Sequence, residues 1–253
     1  MADGQLQGRS ILVTGGSRDI GRGLALGLAR EGADVAVNYV ERRDAADEVV
    51  AAIEAEGGRA LAVKADVAKR DEVDAMVAEV VDAWGRIDTL VSNAGVIVFK
   101  EFLDTNEEDW DWILQTNLKG AFLVGQAVAR TMIEHGGGQI VFVNSESGLK
   151  ANRELSAYGS SKAGQLMLMR SMALSLAPHS IRVNSVHPAC VPTDQNADRL
   201  ADPELKQSIM DAYPLGRLGT PEDVLHAILY LISPKAGWVT GSALTLDGGY
   251  TAT

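Results

Sequence analysis

The sequence contains little cysteine, few aromatic residues and a shortage of basic residues. Its 253 residues include one cysteine, 5% aromatic residues, and 23 Lys and Arg residues against 34 Asp and Glu residues. The single thiol, Cys190, excludes a disulfide within the chain and suits a reducing compartment. A net charge of −11 and a pI near 4.8 argue against nucleic acid as a partner, because its phosphates require a basic protein surface.

Long hydrophobic runs and metal-binding patterns are also missing from the sequence. No apolar run approaches the roughly 20 residues that cross a bilayer, and the acidic balance disfavours anionic membranes. The polar start, Met1-Ala2-Asp3-Gly4-Gln5, is unlike a signal peptide. The four histidines show no metal-ligand spacing with one another or with Cys190, so no metal site is predicted. We therefore expect a cytoplasmic protein with no nucleic-acid or membrane partner.

Strand and helix patterns alternate along the whole chain. Alternation of this kind predicts a parallel sheet covered on both faces, since each parallel connection needs a crossover. No linker or composition shift divides the chain. We predict one α/β domain over residues 1–253, a doubly wound Rossmann fold with about seven parallel strands. The predicted strands lie near 10–14, 34–39, 60–65, 87–92, 139–145, 181–187 and 242–246, and the helices near 19–31, 43–56, 70–84, 106–135, 155–177 and 220–233.

A glycine-rich turn follows the first predicted strand. The strand Ser10-Ile11-Leu12-Val13-Thr14 runs into Gly15-Gly16-Ser17-Arg18-Asp19-Ile20-Gly21, where an apolar helical pattern begins. A strand, a glycine-rich turn and a helix start form a cradle in which backbone N–H groups face a phosphate. The arrangement predicts a pyrophosphate site, and a tight turn without a ligand is the alternative.

Tyr158 and Lys162 lie four residues apart in a predicted helix and therefore on one face of it. A free tyrosine has a pKa of about 10, too high for proton exchange at neutral pH. A cation within about 4–6 Å favours the phenolate and lowers that pKa. Tyr158 is accordingly the candidate proton-transfer residue, against the alternative of an exposed helix with an incidental pair.

Several separated motifs together resemble the classical short-chain dehydrogenase/reductase family. They are Thr14-Gly15 through Gly21, Ser92-Asn93-Ala94-Gly95, Asn117, Ser145 and the Tyr158/Lys162 pair, and they occur in the order expected of the family. The resemblance covers roughly Leu6 to Gly249. It implies an NAD(P)(H)-dependent enzyme that interconverts a secondary alcohol and a ketone. The chain is similar to 3-oxoacyl carrier-protein reductases and to sugar and polyol dehydrogenases.

The resemblance implies roles for individual residues. Ser145 would hydrogen-bond the substrate oxygen and Tyr158 would transfer its proton. Lys162 would also bind the nicotinamide ribose, and Asn117 would hold a water that relays protons to it. Polar residues expected at the pocket rim, Glu146, Asn152 and Gln195, are predicted to bind substrate together with Ser145. The predicted cofactor contacts are Gly15, Ser17, Arg18, Asp19, Ile20, Gly21, Tyr39, Arg42, Asp66, Val67, Asn93, Ala94, Gly95, Tyr158, Lys162, Pro188, Ala189, Val191 and Thr193.

Two positions depart from the family pattern. Asp19 stands where the family has glycine or alanine, and a carboxylate there would repel a pyrophosphate. The favoured interpretation makes Asp19 the N-cap of a helix that begins at Ile20. Ala189 replaces a glycine that follows the proline of the substrate loop, which is expected over about 188–218. Asp66 has two interpretations, a contact to the adenine edge and an N-cap of the next helix.

The cofactor preference depends on the end of the second predicted strand. Asn38-Tyr39-Val40 carries no acidic residue there and Arg42-Arg43 follow. Arg18 of the glycine-rich turn is expected to approach from the other side. This pattern favours NADP(H) over NAD(H), with the start of a solvated helix as the alternative interpretation of the two arginines.

The substrate class is predicted from the residues before the fifth strand, where a carrier protein would bind. Thr131-Met132-Ile133-Glu134-His135-Gly136, before the fifth strand, lacks a basic patch for an acidic carrier protein. A small polar, sugar- or polyol-like substrate is therefore favoured, and a 3-oxoacyl thioester is the alternative. A non-catalytic dinucleotide-binding regulator or scaffold is the alternative of another class, favoured by Asp19 alone. The fourth predicted helix and the helix that carries Tyr158 both have apolar residues beyond one face, which indicates subunit packing. Family members that this chain resembles commonly form tetramers through these two helices, so a homotetramer is predicted.

Overall fold

Seven parallel strands form the centre of the molecule. The computed structural model describes residues 4–252, so the first three residues of the polar start and the last residue lie outside the described part. The strand order, β3-β2-β1-β4-β5-β6-β7, confirms the predicted doubly wound α/β sheet. The strands are β1 (Ser10–Val13), β2 (Asp34–Tyr39), β3 (Ala60–Lys64), β4 (Thr89–Ser92), β5 (Gly138–Val143), β6 (Ile181–Pro188) and β7 (Ala243–Leu246).

Helices cover both faces of the sheet. The α-helices are α1 (Asp19–Arg30), α2 (Arg43–Ala55), α3 (Arg70–Trp84), α4 (Glu107–Ile113), α5 (Gly120–Glu134), α6 (Ser156–Leu176), α7 (Ala197–Ala201), α8 (Pro203–Asp211) and α9 (Pro221–Ile232). Short 3₁₀ turns occupy Phe102–Asp104, Glu146–Gly148, Ala177–His179, Asp194–Asn196, Pro234–Ala236 and Tyr250–Ala252. Among the helices of residues 4–252, none is long and apolar enough to cross a membrane.

Two apolar cores lie on opposite faces of the sheet. Successive side chains of a strand point to opposite faces, and β1 shows this directly. Leu12 packs in the core that includes α3, α5 and α6, whereas Ile11 and Val13 pack in the core that includes α1, α2 and α9. Because both faces of β1 are buried, its sequence is a continuous apolar run rather than an alternating one.

The structure departs from the predicted elements in two places. The single helix expected over 106–135 consists of α4, a π-helical segment (Leu114–Lys119) and α5. A π-helical turn inserts an extra residue into the helical ladder, which sequence periodicity does not register. The predicted substrate loop also contains α7 and α8, which the sequence analysis did not predict. We call residues 188–218 the substrate segment.

Candidate active site

One cleft opens at the carboxyl ends of the central strands. In the sheet, β2 and β3 lie on one side of β1, whereas β4 and the later strands lie on the other side. The connections that follow β1 and β4 therefore run in opposite directions, and a crevice opens between them. Such switch points are where open α/β sheets bind ligands. The cleft has a volume of about 1200 Å³. Every predicted site residue except Asn117 lines it, so segments far apart in the sequence meet in one place.

Tyr158 and Lys162 project from the first turns of α6 into this cleft. The Lys162 Nζ atom lies 5.6 Å from the centroid of the Tyr158 ring and donates a hydrogen bond to the Val143 carbonyl at 3.1 Å. Only 3% of the lysine is exposed. Burial lowers the pKa of Lys162 to about 8, although the charge of Glu146 acts in the opposite direction. The structure thus brings the phenol and the ammonium together on one helix face.

The pKa of the Tyr158 phenol is shifted upward in this arrangement. Desolvation is the main cause, the charge of Glu146 adds to it, and the hydrogen bond with Ser145 acts against both. The lowering expected from Lys162 is therefore wrong for these side-chain positions, because removal of the phenolate from water dominates. The sequence spacing predicted the proximity of the pair but not the burial that controls its acidity.

Ser145 lies two residues after the end of β5 and lines the cleft next to Tyr158. Its hydroxyl donates to Glu146 Oε2 at 2.7 Å and accepts from the Ser147 backbone N–H at 3.1 Å. The backbone of Ser145 is also hydrogen-bonded, because His187 Nδ1 lies 3.0 Å from the Ser145 carbonyl oxygen. A carbonyl can only accept, so Nδ1 carries the proton.

His187 is a support that sequence reasoning missed. Its Nε2 atom lies 2.8 Å from Ser185 Oγ, so both ring nitrogens have partners. The side chain is fully buried, and this desolvation lowers its pKa to about 4. The available signal was a histidine at the end of a buried strand directly before Pro188, where a charged group has no water around it.

Asn117 lies behind the cleft rather than on its surface. Its Nδ2 donates to the Val96 carbonyl at 2.9 Å and to Ser161 Oγ at 3.1 Å, and its Oδ1 accepts from the Val96 N–H at 2.8 Å. Both Asn117 and Lys162 border Gly95, since a Cβ on that glycine would stand 3.3 Å from Asn117 Oδ1 and 3.7 Å from Lys162 Nζ. The water relay assigned to Asn117 stays a prediction.

The glycine-rich turn is braced by the residues after β4. The Asn93 and Ala94 N–H groups donate to Thr14 Oγ1 at 2.9 and 3.1 Å, and Asn93 Nδ2 donates to the carbonyls of Thr14 and Gly15. Gly21 permits the close packing of α1 on the turn, because a Cβ there would stand 2.0 Å from the Gly15 carbonyl oxygen. The glycine-rich turn is thus held in place by hydrogen bonds and close packing, and its role as a phosphate cradle stays a prediction.

Asp19 adopts a left-handed backbone with φ of 53°. Its carboxylate accepts a hydrogen bond from the Asp194 N–H at 2.9 Å, and Arg18 lies within ion-pair distance of Asp19 (3.7 Å) and of Asp194 (3.6 Å). The N-cap interpretation is wrong, because α1 begins at Asp19 itself and Arg18 occupies the N-cap position. Glycine adopts a left-handed backbone more easily than aspartate does, and the carboxylate of Asp19 binds the Asp194 N–H.

The substrate segment is tied to the cleft at a second point. The Gln195 side chain donates to the Gly95 carbonyl at 3.3 Å and accepts from the Ile97 N–H at 3.1 Å. Within the segment, Asn196 binds the Val191 carbonyl and the Thr193 N–H, each at 2.9 Å. The substrate segment therefore contacts both the glycine-rich turn, through Asp194, and the residues after β4, through Gln195.

Two further predicted site residues, Ala189 and Asn152, lie at the edge of the cleft. Ala189 is outside the left-handed region and donates its N–H to the Leu246 carbonyl at 3.1 Å, so the departure from glycine introduces no backbone strain. Asn152 is exposed on the rim, where its Oδ1 accepts from the Glu154 N–H at 3.0 Å. Both residues line the cleft, as predicted.

The end of the cleft that is predicted to bind adenine lies at β2 and β3. Asp66 Oδ1 accepts from the Ala68 N–H at 3.0 Å, whereas α3 begins at Arg70 after Lys69, so the N-cap interpretation of Asp66 is wrong. Arg42 lines the cleft with 58% of its side chain exposed and lies 3.7 Å from Asp44. Arg43 starts α2 and pairs with Asp47 at 3.2 Å, away from the cleft lining.

The donor groups of the cleft fit a nicotinamide dinucleotide. Among residues 4–252, the Val143 carbonyl is the one hydrogen-bond acceptor of the Lys162 ammonium, so two of its three N–H donors remain for a ribose diol. The glycine-rich turn at the other end of the cleft suits a pyrophosphate. In the same described part of the chain, no group of three or more His, Cys, Asp or Glu side chains could hold a metal ion.

Comparison with known proteins agrees with this geometry. A family model described as enoyl-(acyl carrier protein) reductase matches residues 15–251. The chain is 45% identical over 245 residues to an L-rhamnose 1-dehydrogenase (NAD(P)(+)) of Sphingomonas sp. strain SKA58, covering 96% of each chain. It is 40% identical over 241 residues to a 3-oxoacyl-[acyl-carrier-protein] reductase of Staphylococcus aureus strain Mu50, covering 95% of this chain and 97% of that one.

A solved structure gives the same result. A short-chain type dehydrogenase/reductase from Mycobacterium marinum superimposes with a TM-score of 0.89 at 38% identity, over 98% of this chain and 97% of that one. The matches extend over nearly the whole chain and include every motif that lines the cleft. The chain belongs to the short-chain dehydrogenase/reductase family, and it is an NAD(P)-dependent oxidoreductase that acts on CH–OH and C=O groups.

Proposed function

We propose that the protein oxidises a hydroxyl group of a small sugar- or polyol-like substrate with NADP⁺ or NAD⁺, and catalyses the reverse reduction. The observation that carries this proposal is the convergence of Ser145, Tyr158 and Lys162 in one cleft with the glycine-rich turn. The 45% identity to an L-rhamnose 1-dehydrogenase supports a sugar as the substrate class. The polar rim residues Glu146, Asn152 and Gln195 support it as well.

Each residue of the catalytic set has a separate task in the proposed reaction. The bound nicotinamide supplies the acceptor of hydride in oxidation and its donor in reduction. Tyr158 takes the proton of the reacting hydroxyl as its carbon loses hydride, and returns that proton to the carbonyl oxygen in reduction. Ser145 orients the reacting oxygen. Lys162 binds the ribose diol, and Asn117 holds the water that connects Lys162 to solvent.

We propose NADP(H) as the preferred cofactor. The end of β2 presents Tyr39 to the cleft, and Arg42 and Arg18 are partly exposed on either side of it. A 2′-phosphate requires cations of this kind, whereas a free 2′-hydroxyl is usually held by an acidic residue. Glu41 also lines this end of the cleft. Its carboxylate is the group through which NAD(H) would bind instead.

The protein is further proposed to be a cytoplasmic homotetramer. Large apolar side chains remain exposed on α4, α5 and α6, including Trp112 at 51%, Phe122 at 42% and Met167 at 59%. Met169, on the same helix as Met167, is fully buried, so only part of the methionine pattern belongs to the core. Exposed apolar surface of this extent is typical of subunit contacts. The single cysteine supports a reducing compartment.

A crossed assay tests the proposed function. NAD⁺ and NADP⁺ are each combined with L-rhamnose, other aldoses, polyols and simple secondary alcohols, and NADH and NADPH with ketones and 3-oxoacyl thioesters. We expect the highest kcat/KM with a sugar or polyol and NADP⁺. Faster turnover of the thioesters would favour the second candidate, a 3-oxoacyl carrier-protein reductase, which the 40% identity to the S. aureus enzyme supports.

A further inference from the structure

Glu146 has no part in the proton and hydride transfer proposed above, yet its carboxylate lies in the middle of the cleft. Oε2 accepts a hydrogen bond from Ser145 Oγ at 2.7 Å, and Oε1 accepts one from Ser147 Oγ at 3.3 Å. Within residues 4–252, this carboxylate forms no ion pair with a Lys, Arg or His side chain. The charge of Glu146 is therefore compensated by two hydroxyl groups and by the backbone N–H groups of Glu146 and Ser147 rather than by a cation, and burial raises the pKa of the carboxyl group.

Groups on several sides of the cleft feel this charge. For Tyr158, Lys162, Cys190 and Tyr213, desolvation is the largest cause of the pKa shift, and the charge of Glu146 adds an upward contribution in each case. Tyr158 and Lys162 belong to α6, Cys190 to the segment after β6, and Tyr213 to the turn after α8. The carboxylate thus faces the space that a substrate must enter.

The hydrogen bond to Glu146 fixes the direction of the Ser145 hydroxyl. A serine hydroxyl has one proton to donate, and here the carboxylate receives it. The remaining lone pairs of Ser145 Oγ can only accept. In the ground state, before Tyr158 takes the proton of the reacting hydroxyl, an alcohol can donate that proton to such an acceptor, whereas a ketone oxygen cannot. The arrangement consequently favours the alcohol form of the substrate in the ground state.

The carboxylate itself has acceptor capacity left. An ionised carboxylate offers about four lone-pair positions, of which the two serine hydroxyls use two, and the backbone N–H groups of Glu146 and Ser147 interact with it more weakly. Hydrogen bonds from a neutral hydroxyl to a carboxylate are stronger than those between neutral groups. A substrate hydroxyl next to the reacting one could therefore bind Glu146 while the reacting hydroxyl binds Ser145 and Tyr158.

We propose that Glu146 makes the site selective for alcohols that carry an adjacent hydroxyl, by holding the Ser145 proton and accepting a hydrogen bond from the neighbouring substrate hydroxyl. This inference rests on the proposed function and names the residue through which a sugar or polyol is recognised. Glu146 acts on the reaction by binding and by orienting Ser145, and it exchanges no proton with the reacting oxygen.

The test compares Glu146→Gln with the wild type and with Glu79→Gln, a change of the same charge on the exposed face of α3 outside the cleft. kcat and KM are measured for L-rhamnose and a polyol panel, for cyclohexanol, and for cyclohexanone in the reverse direction. We expect Glu146→Gln to raise KM for the sugar or polyol about 10-fold or more, with a smaller change in kcat, because a charged hydrogen bond is lost. KM for cyclohexanol should change by less than about 3-fold, and KM for cyclohexanone should fall, because the Ser145 proton is released from a charged acceptor.

The outcomes separate this inference from the proposed function. Equal losses with polyols and cyclohexanol would overturn the inference and show that Glu146 only maintains the turn at Glu146–Gly148. Calorimetric titration of the sugar or polyol panel into the protein with saturating oxidised cofactor supplies an independent readout. Binding without turnover in the wild type, weakened in Glu146→Gln, would sustain the inference while rejecting the proposed function. Binding that is unchanged in the variant would overturn the inference whatever the turnover.

Discussion

Replacement of His187 should change how the stability of the protein depends on pH. The ring is fully buried and its pKa is about 4, compared with 6.5 for an unperturbed histidine, chiefly because of desolvation. Between these two values the unfolded chain binds a proton that the folded protein excludes. Stability is therefore complete above pH 6.5 and is lost as the pH falls toward 4.

The magnitude follows from the two pKa values. At pH 7.5 both states are almost entirely neutral at this residue, so the histidine contributes almost no pH dependence. At pH 5 the unfolded histidine is largely protonated and the folded one is not, which corresponds to about 2 kcal/mol of lost stability. A substitution that cannot titrate, His187→Asn, removes this contribution, and its amide retains a donor for the Ser145 carbonyl.

Urea unfolding at pH 7.5 and at pH 5 measures the effect. We expect the difference in unfolding free energy between the two pH values to be smaller in His187→Asn than in the wild type by about 2 kcal/mol. His179→Asn, on an exposed turn, is the control and should retain the wild-type difference. An equal pH dependence in all three proteins would refute the claim that a neutral, desolvated His187 supports Ser145.

Three further substitutions test the site. Tyr158→Phe should lower kcat by about 10²- to 10⁴-fold while dinucleotide binding persists, because only the proton donor is removed; near-full turnover would assign proton transfer to another group. Arg42→Ala should raise KM for NADP⁺ far more than KM for NAD⁺, and equal changes would contradict pairing with a 2′-phosphate. Asp19→Gly should tighten NADPH binding by about 3- to 10-fold in a fluorescence titration, because it relieves left-handed strain and removes a negative charge from the phosphate cradle. Weaker binding would instead show that the bond from Asp19 to Asp194 contributes more than the charge repels.

Local patterns in the sequence determined most of the fold. Strand and helix periodicity predicted seven parallel strands, and the strand order confirms that architecture. The glycine-rich turn predicted a pyrophosphate site directly after the first strand. The spacing of Tyr158 and Lys162 placed both on one helix face, as found. These features depend on residues that are close in the sequence, so the sequence alone contains the information for them.

Only the tertiary structure decided how the site residues are used. Asp19 binds the backbone of a residue 175 positions away, and His187 supports a serine 42 positions away. The upward shift in the pKa of Tyr158 arises from burial and from Glu146, neither of which the YxxxK spacing reveals. Hydrogen bonds and desolvation act through space between segments that folding brings together. A sequence pattern therefore predicts which groups reach the cleft, whereas their partners and their acidity are set by the packing around them.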